Sequence, residues 1–158
     1  ACGRRRVGRE GKRLTRSPKV YLRDSGLLHA LLRIGSRTEL LRHPAAGASW
    51  EGFVIEQVLG SLAASGVDPE AHFLRTSDGY EIDLLLTLGG TRVAIETKLS
   101  AHATPQDLAR LERVADLVSA EHRYIVCQTV QPAASATRGV LDLTSAIKRL
   151  QGLGRSAR

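Results

Sequence analysis

The stretch from residue 72 to residue 99 consists of three short apolar runs separated by two glycine-containing turns. One turn contains Asp78-Gly79 and the other is Gly89-Gly90. Asp-Gly between extended runs is a strong hairpin signal, because glycine readily adopts the positive φ angles that tight turns need. The sequence therefore predicts an antiparallel meander at the centre of the chain. The predicted strands are 72–76, 80–88 and 92–99.

Helical patterns surround this meander. Four leucines fall on one stripe after Asp24, which can cap a helix, and a second apolar stripe runs from Ser49, the expected N-cap, to Ala64. Residues 36–47 between them are expected to be irregular or weakly helical. After the meander, Thr104 is expected to cap a helix that has proline at its first position.

The last elements complete the predicted sheet. The apolar run at 123–128 is expected to pair in parallel with 92–99 through a right-handed crossover. A short strand at 140–143 and a helix capped by Thr144 follow. The chain is thus predicted to have an α/β fold of the α+β type. Its mixed β-sheet of about four strands, an antiparallel meander plus one parallel strand, is flanked by helices.

The net charge of +7 is concentrated at the N-terminus. Residues 1–19 contain eight Lys and Arg against Glu10 alone, and the rest of the chain is neutral by count. We interpret 1–16 as a basic, disordered arm or linker, 17–151 as one domain and 152–158 as a disordered tail. Such an arm can hold nucleic-acid phosphates by counterion release, although like-charge blocks are more often simply solvated.

Cysteine usage and hydropathy indicate the cellular compartment. Cys2 and Cys127 are isolated in sequence and form neither a disulfide framework nor a zinc spacing, which favours a reducing compartment. No run approaches the roughly 20 apolar residues of a membrane helix, and no signal peptide is visible. We therefore expect a cytoplasmic protein that does not act at a membrane.

Two acidic residues lie within runs that otherwise favour burial. Asp83 and Glu96 would each cost several kcal/mol there if unpaired. Strand alternation puts Glu96 and Lys98 on one face, and the Gly89-Gly90 turn brings Asp83 opposite Glu96. An ion pair at the sheet end would satisfy any one of these groups, whereas their convergence favours a divalent-metal site.

A third carboxylate enters from the helix that precedes the meander. Glu51 lies on the apolar face in the first turn, whereas Glu56 is rotated toward solvent. Asp83, Glu96 and Lys98 with Glu51 entering from the helix therefore favour a site for a hard divalent ion such as Mg²⁺. Lys98 joins the three carboxylates as a candidate catalytic residue, because an ammonium can position water or neutralise charge on a phosphate.

The order of these residues resembles the E…D…(D/E)xK pattern of the PD-(D/E)XK nuclease superfamily. Four segments together resemble, more narrowly, the C-terminal domain of unknown function (family 4143) that follows AAA+ ATPase modules in prokaryotes. The resemblance covers about residues 17–151. The segments are YLRDSGLL at 21–28, WEGFV at 50–54, RTSDGYEID at 75–83 and IETK at 95–98.

This resemblance implies a restriction-endonuclease-like sheet with Asp83 and Glu96 as metal ligands. Lys98 would orient the attacking water and Glu51 would complete the outer metal shell, while Thr97 is expected to face away from the site. The implied function is a Mg²⁺- or Mn²⁺-dependent DNA phosphodiesterase. The chain has no G-x-x-x-x-G-K-[ST] run, so the implied partner, an AAA+ ATPase module, would lie upstream in a parent chain.

Two other functions remain open. The domain could be a catalytically inactive nuclease fold that regulates or docks an ATPase, with its carboxylates as relics. Alternatively, residues 1–19 alone could bind nucleic acid. The neutral charge of the body argues against strong DNA binding by this chain alone.

Overall fold

The computed structural model describes residues 19–156, so the predicted basic arm and the last two residues lie outside the described part of the chain. None of the described helices is long and apolar enough to cross a membrane. The helices are α1 (Ser25–Leu31), α2 (Arg37–Arg42), α3 (Ala46–Ala64), α4 (Pro105–Leu117) and α5 (Leu143–Ser156). The strands are β1 (Glu70–Arg75), β2 (Glu81–Leu88), β3 (Thr91–Thr97), β4 (His122–Val126), β5 (Ala133–Ala134) and β6 (Arg138–Leu141).

The strands form one mixed sheet in the order β1-β2-β3-β4-β6-β5. The antiparallel meander β1-β2-β3 and the parallel pairing of β4 with β3 confirm the predicted core of the sheet. The expected number of about four strands is wrong, because β6 continues the sheet in parallel with β4 and β5 pairs antiparallel with β6. The two-residue β5 has no alternation that a sequence could reveal.

Helices cover both faces of this sheet. On one face, α3 and α5 pack on Val93 and Ile95 of β3 through a buried apolar cluster. On the other face, α4 packs on Ala94 of β3 and Ile125 of β4. The alternation of Val93, Ala94 and Ile95 between the two cores follows from the two-residue period of a strand. Consecutive polar residues at the end of β3 are therefore expected on opposite faces of the sheet.

The start of α1 agrees with the prediction, whereas the start of α3 does not. Asp24 caps α1 as predicted, accepting from the amide of Leu27 at 2.9 Å. However, α3 begins at Ala46, and the expected cap Ser49 is instead buried within it, 2.7 Å from His29 Nε2. The segment 36–47, expected to be irregular or weakly helical, contains the short helix α2, which Ser36 caps.

The C-terminal helix requires a further correction. Asp142, rather than Thr144, accepts from the amide of Ser145 at 3.0 Å and caps α5. The helix then continues to Ser156, past residue 151 where the sequence suggested that order ends. Packing explains the extension, because Gly154 is buried against Val67, where an added Cβ would lie 2.7 Å from a valine methyl.

Thr104 and Asp107 form the predicted start of α4 as a reciprocal capping box. The Thr104 hydroxyl accepts from the Asp107 amide at 3.2 Å, and Asp107 Oδ2 accepts from the Thr104 amide at 2.9 Å. We expect Thr104→Ala to lower the free energy of unfolding by about 1 kcal/mol, measured by urea denaturation. Thr144→Ala, at an exposed position without a capping role, is the control and should leave stability within about 0.5 kcal/mol of the parent chain.

Candidate functional site

An open groove of about 640 Å³ brings together all four residues predicted to carry the chemistry. Glu51 enters from α3, Asp83 from the start of β2, and Glu96 and Lys98 from the end of β3. Their placement by three separate elements explains how residues 47 positions apart in sequence converge on one groove. The groove is also lined by Gly47, Asp78, Gly79, Tyr80, Glu81, Thr97, Leu99 and Arg110.

A β-bulge in β2 directs the side chain of Asp83. Leu74 of β1 pairs with Ile82, yet two residues earlier on β1, His72 pairs with Leu85 rather than with residue 84. Asp83 and the residue after it therefore share one partner position on β1. An extra residue of this kind bends a strand and re-aims its side chains, and bulges are frequent beside active sites.

Thr97 holds the re-aimed carboxylate of Asp83. Its amide donates to Asp83 Oδ2 at 2.8 Å and its hydroxyl donates to the same oxygen at 3.1 Å. The expectation that Thr97 faces away from the site is therefore wrong. Asp83 reaches toward the face of Val93 and Ile95, because the bulge interrupts the alternation on which that expectation rested.

Three carboxylates surround the ammonium of Lys19. Lys19 Nζ lies 2.6 Å from Glu51 Oε1, 3.0 Å from Glu81 Oε2 and 3.5 Å from Asp83 Oδ1. The Tyr21 hydroxyl also donates to Glu51 Oε1. Lys19, which we counted with the basic N-terminal residues, is thus part of the site.

Glu96 and Lys98 form a second cluster on the α4 side of the sheet. Lys98 Nζ lies 2.9 Å from Glu96 Oε1 and 3.0 Å from Asp107 Oδ1. Asp107 uses its other oxygen in the α4 capping box, so the start of this helix fixes the position of the lysine. Glu96 and Lys98 share a face as predicted, and their ion pair is one of the alternatives that the sequence left open.

Burial and charge shift the ionisation of these groups. Burial and the nearby charge of Glu51 raise the pKa of Asp83 to about 6, although hydrogen bonds from Thr97 act in the opposite direction. Burial likewise raises the pKa of Glu96. Burial lowers the pKa of Lys98, but its bonds to the two carboxylates outweigh burial and raise it, so the ammonium stays charged.

The donor set matches a hard divalent ion in chemical type, since such ions prefer carboxylate oxygens. Among residues 19–156, however, no group of three or more His, Cys, Asp or Glu side chains is arranged to hold a metal ion. The Lys19 ammonium instead lies among three of these carboxylates, and Glu96 pairs with Lys98. The carboxylate oxygens fit the predicted ion in chemical type, whereas in this structure they bind the ammonium groups of Lys19 and Lys98.

Five residues of the site were not identified from the sequence. Asp107 gave a partial signal, because its place at the start of α4 was recognised but its contact with Lys98 was not. The contacts of Lys19 and Tyr21 depend on packing against residues 30 or more positions away in the sequence, which no local pattern encodes. The five residues are Lys19, Tyr21, Glu81, Thr97 and Asp107.

Comparisons with known proteins place the chain in a family. It is 40% identical over 127 residues to an uncharacterized protein of Mycobacterium bovis and equally to one of Mycobacterium tuberculosis. The alignment covers 76% of this chain but 28% of each relative, so the chain spans less than a third of their length. No solved structure matches the chain. Residues 46–145, more than half of the chain, match the family described as Domain of unknown function (DUF4143), and the chain belongs to that family.

Proposed function

We propose that this domain is a Mg²⁺- or Mn²⁺-dependent phosphodiesterase of the PD-(D/E)XK type that acts on DNA. The observation that carries the proposal is the shared groove of Glu51, Asp83, Glu96 and Lys98. Carboxylates with an adjacent ammonium in one concave site suit hydrolysis of an anionic ester. A mixed sheet with an antiparallel meander and a parallel fourth strand is consistent with this assignment.

The charge of the groove supports a role for a cation. Five carboxylate residues line it, against three cationic side chains: Lys98 and Arg110 in the lining, and Lys19, which contacts three of the carboxylates. A phosphodiester approaching these carboxylates would be repelled unless additional positive charge were present. The five are Glu51, Asp78, Glu81, Asp83 and Glu96.

Each predicted residue has a separate task in this proposal. Asp83, Glu96 and Glu51 would hold the divalent ion, which supplies positive charge to the phosphodiester and lowers the pKa of the attacking water. Thr97 positions Asp83 through its two hydrogen bonds. Lys98 carries a raised pKa and remains an ammonium, so it donates hydrogen bonds to water or phosphate rather than accepting a proton.

A non-enzymatic role is the second candidate. The bonds from Lys19 satisfy Glu51, Glu81 and Asp83 without a metal ion, as expected of a nuclease fold retained for docking or regulation. The mycobacterial relatives are more than three times as long as the matched region, which leaves room for the upstream AAA+ ATPase partner that the sequence resemblance implies.

Cleavage of supercoiled plasmid DNA separates the two candidates. We expect the chain to produce nicked circles with Mg²⁺ or Mn²⁺ but not with EDTA, because the carboxylates need the ion to act on a phosphate. The double variant Asp83→Ala, Glu96→Ala should lose this cleavage. If the parent chain nicks neither plasmid nor single-stranded DNA with either ion, the phosphodiesterase proposal fails and the docking role is favoured.

A further inference from the structure

We propose that Lys19 is a built-in competitor for the cation of this site, and that cation binding releases the segment 19–24 from the groove. We call residues 19–24 the strap. This inference rests on the metal site of the proposed function, but it concerns occupancy of the carboxylates rather than cleavage. Competition between Lys19 and the cation would make the strap an autoinhibitory contact.

The contacts of the ammonium show why Lys19 and a cation compete. Its Nζ lies within 3.5 Å of one oxygen each from Glu51, Glu81 and Asp83. Two of these three residues are predicted metal ligands. A divalent ion bound to the same oxygens would lie within a few ångströms of the ammonium and repel it. The two cations therefore compete for these three oxygens.

The surroundings of Lys19 stabilise its ammonium among the carboxylates but leave it open to solvent. Burial opposes the charge of Lys19, yet its hydrogen bonds to Glu51 and Glu81 outweigh burial and raise its pKa. Its side chain is still 29% exposed, so it can leave the carboxylates without crossing a packed core. The ammonium also lies 4.4 Å from the centre of the Phe73 ring, a favourable contact of cation and π-system.

The strap is anchored by side chains on the same helix that supplies Glu51. The Tyr21 hydroxyl donates to Glu51, and the Tyr21 ring packs over Gly52, where a Cβ would lie 3.4 Å from a ring carbon. Arg23 adds an exposed ion pair with Glu56 at 2.9 Å. Because Tyr21 and Lys19 bind the same oxygen of Glu51, recruitment of Glu51 by a metal ion would remove two anchors at once.

Calorimetric titration of the full 158-residue chain with Mn²⁺ tests the competition. We expect Lys19→Met, which keeps the apolar stem, to bind Mn²⁺ about tenfold more tightly, since a competing state lowers apparent affinity by its population. Lys19→Arg should stay close to the parent chain because it retains the charge. Lys148→Met, at an exposed position on α5, is the matched control and should leave affinity unchanged.

Tryptic cleavage after Lys19 reports on release of the strap. Mn²⁺ should accelerate cleavage between Lys19 and Val20 in the parent chain, because the lysine becomes accessible to the protease. The acceleration should disappear in the variant Asp83→Ala, Glu96→Ala. Equal or weaker Mn²⁺ binding by Lys19→Met, an absence of binding by both proteins, or cleavage unaffected by saturating Mn²⁺ would each overturn the competition.

These results are distinguishable from the test of the proposed function. A parent chain that nicks DNA while Lys19→Met binds Mn²⁺ no more tightly would retain the phosphodiesterase proposal and refute the competitor. Conversely, tighter binding by Lys19→Met without cleavage by any variant would establish the competitor and refute the phosphodiesterase.

Discussion

Replacing Lys98 by methionine is expected to lower the rate of metal-dependent DNA cleavage by about 10²–10³-fold, the usual effect of removing one donor that stabilises developing charge. The reason is that the Lys98 ammonium projects into the groove while Glu96 and Asp107 hold it at 2.9 and 3.0 Å. Methionine retains the length and apolar stem but has no donor. Single-turnover cleavage at saturating Mn²⁺ measures the chemical step separately from binding.

Two comparisons isolate this effect from general damage. Lys148→Met removes an exposed lysine from α5 and should cleave at the parental rate. Lys98→Met should also retain Mn²⁺ binding, because the positive charge of Lys98 is not itself a ligand, whereas Asp83→Ala should lose it. Cleavage by Lys98→Met at the parental rate would show that this lysine serves only the ion pair with Glu96 and Asp107.

Local signals in the sequence were sufficient to predict the strand pair and the helix start that carry this site. The Gly89-Gly90 turn fixes the pairing of β2 with β3, which runs from Leu88 facing Thr91 to Leu84 facing Ile95 and ends beside Asp83 and Glu96. The capping pattern at Thr104 likewise predicts where α4 begins. These features depend on residues close in the chain, where turn chemistry and capping act directly.

The direction of the side chains could not be predicted in the same way. The bulge in β2 turns Asp83 toward Thr97. The bulge lies in the pairing of β2 with β1, and the alternation of apolar residues along β2 does not reveal it. Lys19 reaches Asp83 across 64 residues of sequence. Its position in the sequence grouped Lys19 with the basic N-terminal residues, whereas the structure pairs its ammonium with Glu51 and Glu81.

The second large effect concerns Asp83→Asn, which is expected to stabilise the metal-free protein above pH 6. The pKa of Asp83 is raised from 3.8 to about 6, so the native state binds this proton more tightly than the unfolded state does. The stabilising effect of that proton is complete below pH 4 and is lost as the pH rises to 6. The loss corresponds to about 3 kcal/mol at most.

Asparagine avoids this loss because it does not ionise, and its oxygen can still accept from the Thr97 amide. Urea denaturation in EDTA between pH 4 and pH 7 should therefore show the stability of Asp83→Asn rising relative to the parent chain by about 2–3 kcal/mol. The exposed Asp68 provides the control, since Asp68→Asn should follow the parental pH dependence. Parallel curves for Asp83→Asn and the parent chain would contradict the raised pKa.

A stabilising Asp83→Asn would also bear on whether the site is used. A carboxylate that is 9% exposed and lies beside Glu51 reduces stability unless a cation compensates it. Lys19 offers a single charge at 3.5 Å, which leaves the pKa raised. A divalent ion would supply more positive charge to the same oxygens, so Mn²⁺ should stabilise the parent chain more than Asp83→Asn. Such a difference would indicate a carboxylate kept for binding rather than for folding.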